Sequence, residues 1–119
     1  MKAIVKTKHS KGTEFKEVPA PRIGPRDVLI KVKVASVCGT DVHVYDWTRW
    51  AQYRLTLPRI LGHEFVGHVT KIGGEVTHVK VGDRVSAESH ITCGYCYQCQ
   101  NGNAEVCRNI QLLGMDCDG

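Results

Sequence analysis

The sequence predicts a mainly β fold: a compact, strongly bent and partially open β-barrel, carrying short helices and one cysteine-rich loop. Two positive observations and one absence point there. Period-two alternation of apolar and polar residues recurs in short runs along most of the chain. Twelve glycines and four prolines punctuate those runs, as tight turns between short strands require. Nowhere do a strand, a glycine-rich turn and a long helix follow one another, so a layered α/β sheet with a dinucleotide fingerprint is not expected.

The elements follow in order. MKAIVKT is a first strand and EFKEVPAP a second, ended by its prolines. DVLIKVKVAS is a third, with Val28, Ile30, Val32 and Val34 expected on one buried face and Lys31 and Lys33 on the solvent side. GPRD supplies a turn before it. The segment CGTDVHVYDWTRWAQYRL lacks strict alternation and admits a helical turn. Strand-like alternation returns in HEFVGHVTKIG, which GG interrupts, and again in HVKVGDRVSAES. Gly62, Gly67 and Asp83 fit structural turns, and GDRV fits the start of a strand.

Composition bounds the function. At 119 residues, 42% apolar and 24% charged, the chain has the size and make-up of one globular domain. The formal charge of +4 is scattered, which argues against a nucleic-acid partner. No run approaches the roughly 20 apolar residues of a membrane span, and no secretory signal is evident. A cytoplasmic protein with reduced thiols is therefore expected.

Against that background, Cys93, Cys96, Cys99 and Cys107 stand in a C-x2-C-x2-C-x7-C pattern. Closely spaced thiolates wrap one Zn²⁺ tetrahedrally, and four of them close the site to substrate, so a structural zinc is expected. Disulfides suit an oxidising compartment. The bacterial iron–sulfur pattern has three residues before its last cysteine and a proline after it, where this chain has seven and Arg108. A nucleic-acid knuckle needs more basic and aromatic residues than Tyr95, Tyr97 and Arg108.

A second, more open constellation comes from VCGTDVH and ILGHEFVGH. Cys38, His63 and Glu64 form a plausible three-ligand shell for a zinc with its fourth position free. The alternative for each alone is a buried inert thiol or a surface turn. A metalloprotease helix is excluded, since His63 and His68 are five apart rather than four and Val66 and Val69 flank extended backbone.

Taken in order, VCGTDVH, GHEFVG, VGDRV and the four-cysteine loop resemble the catalytic domain of the zinc-dependent medium-chain alcohol dehydrogenases. CGTDVHVYDWTRW and ESHITCGYCYQCQNGNAEVCRN are most similar to the L-threonine 3-dehydrogenase branch of that family. The resemblance implies a GroES-like fold over residues 1–119, belonging to the N-terminal part of the catalytic domain and stopping before the Rossmann NAD-binding domain. It implies a catalytic zinc on Cys38, His63 and Glu64 and a structural zinc on Cys93, Cys96, Cys99 and Cys107. Thr40 and His43 match the family's proton relay, and His90 a position near the substrate. The expected reaction is NAD-dependent oxidation of a small-molecule secondary alcohol, L-threonine to 2-amino-3-oxobutanoate, with the 119-residue chain inactive alone. Open strand edges imply a homo-oligomer. The alternatives are a polyol or secondary-alcohol dehydrogenase of the same family and a non-enzymatic zinc-stabilised binding module.

Overall fold

Alternating runs of the kind read above pair antiparallel into two separate three-stranded sheets and a short ribbon, leaving the barrel open. The structure, a computed structural model, describes residues Met1 to Gly119. In chain order the elements are β1 (Lys2–Lys6), β2 (Glu14–Glu17), β3 (Val28–Ala35), α1 (Gly39–Asp46), α2 (Arg49–Arg54), β4 (Arg59–Ile60), β5 (Phe65–Ile72), β6 (Arg84–Ser86), β7 (His90–Ile91), α3 (Tyr97–Gln100) and β8 (Gln111–Leu112). The sheets are ordered β2-β1-β4 and β3-β5-β6, with β7-β8 as the ribbon.

The corner between the two sheets positions the site. β4 pairs with β1 in the first sheet, Val5 opposite Ile60, and β5 pairs with β3 in the second. Residues 61–64 carry the chain from one sheet to the other, so Gly62, His63 and Glu64 occupy the turning point. Gly62 takes φ +112°, a conformation that side-chain-bearing residues rarely adopt. The GPRD turn is closed by Gly24 N–H donating to Asp27 Oδ2 at 2.8 Å. Asp83 works the same way before β6, accepting from Lys80 N at 3.0 Å. Only Arg84–Ser86 of the run HVKVGDRVSAES forms a strand.

One expectation about β3 fails. Its register against β5 shifts between Leu29 and Ile30 and again between Val32 and Val34. Each irregularity breaks the simple alternation of faces. Val28 and Ile30 are half-buried, whereas Val32 and Val34 are 51% and 64% exposed on a strand that forms the sheet's edge. Lys31 and Lys33 are exposed, as read.

The tightest packing lies between the helices and the C-terminal turn. Val44 of α1, Ala51 of α2, Leu55 and Met115 form a buried cluster, with Trp47, Leu57, Leu61 and Leu112 against it. Lys6 is fully buried beside this region. Its ammonium donates to the carbonyls of Ser10, Gly12 and Tyr45 at 2.5, 2.8 and 3.4 Å, so all three protons find acceptors. Its position 4.9 Å from the Trp47 ring adds a cation–π contact. Lys6 thereby ties β1 to the last turn of α1.

Asp116 holds the C-terminal turn to α2. Its carboxylate accepts from both terminal nitrogens of Arg54 and from Leu112 N–H at 2.8 Å. Arg54 beside it holds the Asp116 carboxyl below its ordinary range. A depressed carboxyl contributes stability above its unfolded-state value, and that contribution is lost as pH falls through the folded-state value. Asp116→Asn is therefore expected to cost about 1–3 kcal/mol in urea unfolding at about pH 7, and distinctly less at about pH 3. A deficit of equal size at both pH values would contradict this account.

Candidate metal centres and cleft

The cysteine loop is gathered by a short stem. His90 and Ile91 of β7 pair with Leu112 and Gln111 of β8, and the chain between them folds back on itself. Gly94 turns the backbone with φ +75° directly after Cys93. Cys96 precedes α3, and Cys107 closes a single 3₁₀ turn over Ala104–Val106. The four sulfurs converge, with Cys96–Cys99 and Cys93–Cys107 at 3.5 Å and Cys96–Cys107 at 3.8 Å. Sulfurs at 2.3 Å from a tetrahedral zinc would stand about 3.8 Å apart, so the spacing fits that ion.

All six cysteines of the chain are free thiols. Cys107 Sγ accepts from the N–H groups of Cys93 and Asn109 at 3.4 and 3.3 Å. Burial raises the Cys93 thiol, but hydrogen bonds from the Asn109 side chain, the backbone at Tyr95 and Cys96, and Cys107 outweigh it and bring Cys93 down to about 6. Burial, reinforced by hydrogen bonding to Cys96, pushes Cys99 up to about 12. The cluster thus gives up a first proton readily and later ones with difficulty. A cation among the sulfurs removes that difficulty, because it binds thiolates.

The second cluster forms where the sheet corner meets the start of α1. Cys38 is the N-cap of α1, its sulfur accepting from Thr40 N–H at 3.3 Å while Asp41 Oδ2 accepts from Cys38 N–H at 3.0 Å. From the corner, His63 Nε2 comes within 3.0 Å of Cys38 Sγ. One ligand atom each from Cys38, His63 and Glu64 lies within 4.8 Å of the others. Ser36 orients the Glu64 carboxylate, donating to Oε2 at 2.5 Å. Sulfur, imidazole and carboxylate at this spacing suit a zinc that keeps one position for another ligand.

Two residues the sequence reading passed over belong to this cluster. Ser36 is one, through Glu64. The other is Asp41, whose Oδ1 faces His63 Nδ1 at 3.8 Å. Both atoms are buried without a hydrogen-bond partner. A carboxylate behind a ligating histidine fixes its tautomer and ring orientation. The three-residue step from Cys38 to Asp41 is a capping-box spacing, which was the available signal.

A cleft of about 440 Å³ opens beside the cluster, walled by Val34, Ser36, His63, Glu64, Phe65 and Glu88 among others. Thr40 is half-buried on α1, and His43 is exposed one turn further on, its ring 6.1 Å from that of Trp50. Neither lines the cleft, and His90 lies outside it too. His90 reaches the cleft wall indirectly, with Nδ1 2.7 Å from Glu88 Oε1. His68, rejected above as a protease-type ligand, sits exposed on β5.

The alcohol dehydrogenase GroES-like domain pattern matches residues 24–119. The chain belongs to the alcohol dehydrogenase GroES-like domain family. The L-threonine 3-dehydrogenase of Caldanaerobacter subterraneus subsp. tengcongensis is 55% identical over all 119 residues, which cover 34% of that protein. The alcohol dehydrogenase of Aeropyrum pernix superposes with a TM-score of 0.88 at 31% identity, over 100% of this chain and 35% of that one. An alcohol dehydrogenase of Escherichia coli CFT073 complexed with NADH superposes with a TM-score of 0.86 at 34% identity, over 100% of this chain and 33% of that one. This chain thus spans about a third of the length of such relatives. Within this GroES-like domain no helix is long and apolar enough to cross a membrane.

Proposed function

We propose that this chain is the metal-bearing catalytic part of a cytoplasmic, NAD-dependent dehydrogenase that oxidises a secondary alcohol, with L-threonine as substrate and 2-amino-3-oxobutanoate as product. The observation that carries the reading is the pairing of two donor clusters, one closed by four sulfurs and one of Cys38, His63 and Glu64 beside a cleft. The similarity to L-threonine 3-dehydrogenases over the whole chain supports the substrate. α1, with eight residues, is the longest helix, and nothing here forms a dinucleotide-binding βαβ unit. NAD is accordingly assigned to a Rossmann domain of a longer polypeptide, and the exposed β3 edge to contacts within a homo-oligomer of it.

Zinc bound by Cys38, His63 and Glu64 supplies Lewis-acid polarisation that makes a substrate hydroxyl more acidic. The rest is the chain's own work. Cys38 and His63 are presented by rigid elements, a helix cap and a sheet corner, and Ser36 holds Glu64 in place. In this reading the Thr40 side-chain oxygen takes the hydroxyl proton, a role that rests on the family resemblance, since Thr40 stands outside the cleft wall. His43, three residues along the same helix face and exposed, would pass it outward to solvent. NAD held by the longer polypeptide would supply the hydride acceptor for the carbinol carbon.

Asp41→Asn is expected to weaken metal binding at the Cys38 site by about 10–100-fold, measured by competition with a chelator, while the four-cysteine site is unaffected. The whole reading is tested by reconstitution. The chain expressed together with a downstream nicotinamide-binding half should form NADH with L-threonine faster than with sorbitol or butanediol, and the chain alone should form none. No NADH from any of the three alcohols in a folded, zinc-loaded assembly would refute it.

A further inference from the structure

The chain carries a formal charge of +4, yet the cleft wall has two carboxylates, Glu64 and Glu88, and no lysine or arginine. The remaining lining is His63, three serines and four apolar residues. With zinc on Cys38, His63 and Glu64 the metal offsets those ligands' charge, so Glu88 is the free anion of the cleft wall and favours cationic ligands over neutral or anionic ones of the same shape. The two carboxylates are not equivalent. Glu64 stands against His63 and Cys38 and accepts from Ser36, so it belongs to the donor cluster.

Glu88 is fastened on one side only. Its Oε1 accepts from His90 Nδ1 at 2.7 Å, from His90 N–H at 3.1 Å and from Ser89 Oγ at 3.4 Å. Its Oε2 has no hydrogen-bond partner in the chain and keeps its full accepting capacity. The hydrogen bond from His90 also holds the Glu88 carboxyl below its ordinary range, so it remains anionic near neutral pH. A side chain anchored through one oxygen and open at the other presents an oriented acceptor, which suits an ammonium with three donors.

We propose that Glu88 is the residue by which the cleft selects a substrate carrying a cationic amino group beside its reacting hydroxyl. This deepens the dehydrogenase reading and rests on its placement of the substrate in the same cleft. His90 is then a positioning residue, acting through Glu88 without itself lining the cleft. A neutral diol can donate a hydroxyl to Glu88 or to a serine but forms no ion pair there, so the discrimination is against alcohols without an amine.

The test titrates the zinc-loaded chain with isopropanolamine and, separately, with propylene glycol, which differ by an ammonium in place of one hydroxyl. Amide shifts of residues 86–89 are followed by NMR. The expected result is about two- to fivefold tighter binding of the amino alcohol, as an ion pair with a carboxylate that is 75% exposed allows. The preference should shrink with added salt, disappear in Glu88→Gln and return in Glu88→Asp. Spectra unchanged outside the cleft establish that each variant is folded. Equal affinities in the unmodified chain, an undiminished preference in Glu88→Gln, or no shift at residues 86–89 with either compound would each overturn the proposal. A retained preference together with failure of the reconstituted assembly to reduce NAD would sink the dehydrogenase reading and leave this one standing.

Discussion

Cys107→Ser is expected to release one zinc equivalent per chain and to unfold the segment between β7 and β8 while β3, β5 and β6 stay paired. Cys107 is the buried member of its cluster, 5% exposed, and its sulfur is in contact with the sulfurs of both Cys93 and Cys96. A serine in its place offers a hard, protonated oxygen where a thiolate is required. The stem that would have to hold the loop without metal has only two residue pairs, His90 with Leu112 and Ile91 with Gln111. Structural zinc in such sites contributes an apparent ~10–16 kcal/mol, far more than so short a ribbon can replace. Metal analysis and hydrogen exchange over residues 93–107 measure the outcome. Two bound zinc ions and unchanged protection would show that Cys107 is not needed to hold the metal or the loop.

Cys38→Ser should act on chemistry and leave the fold intact. In the reconstituted enzyme, NADH formation is expected to fall at least about a thousandfold, because metal polarisation of a reacting oxygen is worth several kcal/mol and each 1.36 kcal/mol is a factor of ten. The cap itself is largely preserved, since serine accepts from the N–H of Thr40 as well as cysteine does. Cobalt substitution separates the two clusters. The variant should retain the absorption of the tetrahedral thiolate site and lose the thiolate band of the second. Retention of activity within a factor of a few would remove Cys38 from the reaction.

The two substitutions differ because the clusters are built differently, and so was their legibility. The four cysteines lie within one short segment, and the coordination number follows from their spacing alone. The other three donors come from a helix cap and from a corner 25 residues later. Nothing local in VCGTDVH or GHEFVG requires them to meet; donor chemistry suggested the set, the resemblance to alcohol dehydrogenases supported it, and the β4-to-β5 corner brings the three together in space. Asp41 shows the same limit. Its capping pattern is readable, but its approach to His63 Nδ1 exists only once the corner has formed.

Burial was harder to read than pairing. Lys6 looks like the polar member of an alternating strand, yet it is enclosed because two carbonyls of the following loop and one from α1, 39 residues on, converge on it. Val32 and Val34 look like core and are exposed, because two irregularities interrupt the β3 pairing and no further strand covers that edge. Alternation reports which side chains share a face, but not whether another layer covers that face.

Local chemistry therefore settled the strands, the glycine-dependent turns and the sulfur cage, since each depends on neighbours within a few residues. Long-range geometry alone decided which histidine meets which cysteine, which lysine is enclosed, and that Glu88 faces a cleft lacking any positive side chain. These depend on how separately formed sheets and helices are joined at a corner, and such relations have no counterpart in spacing along the chain.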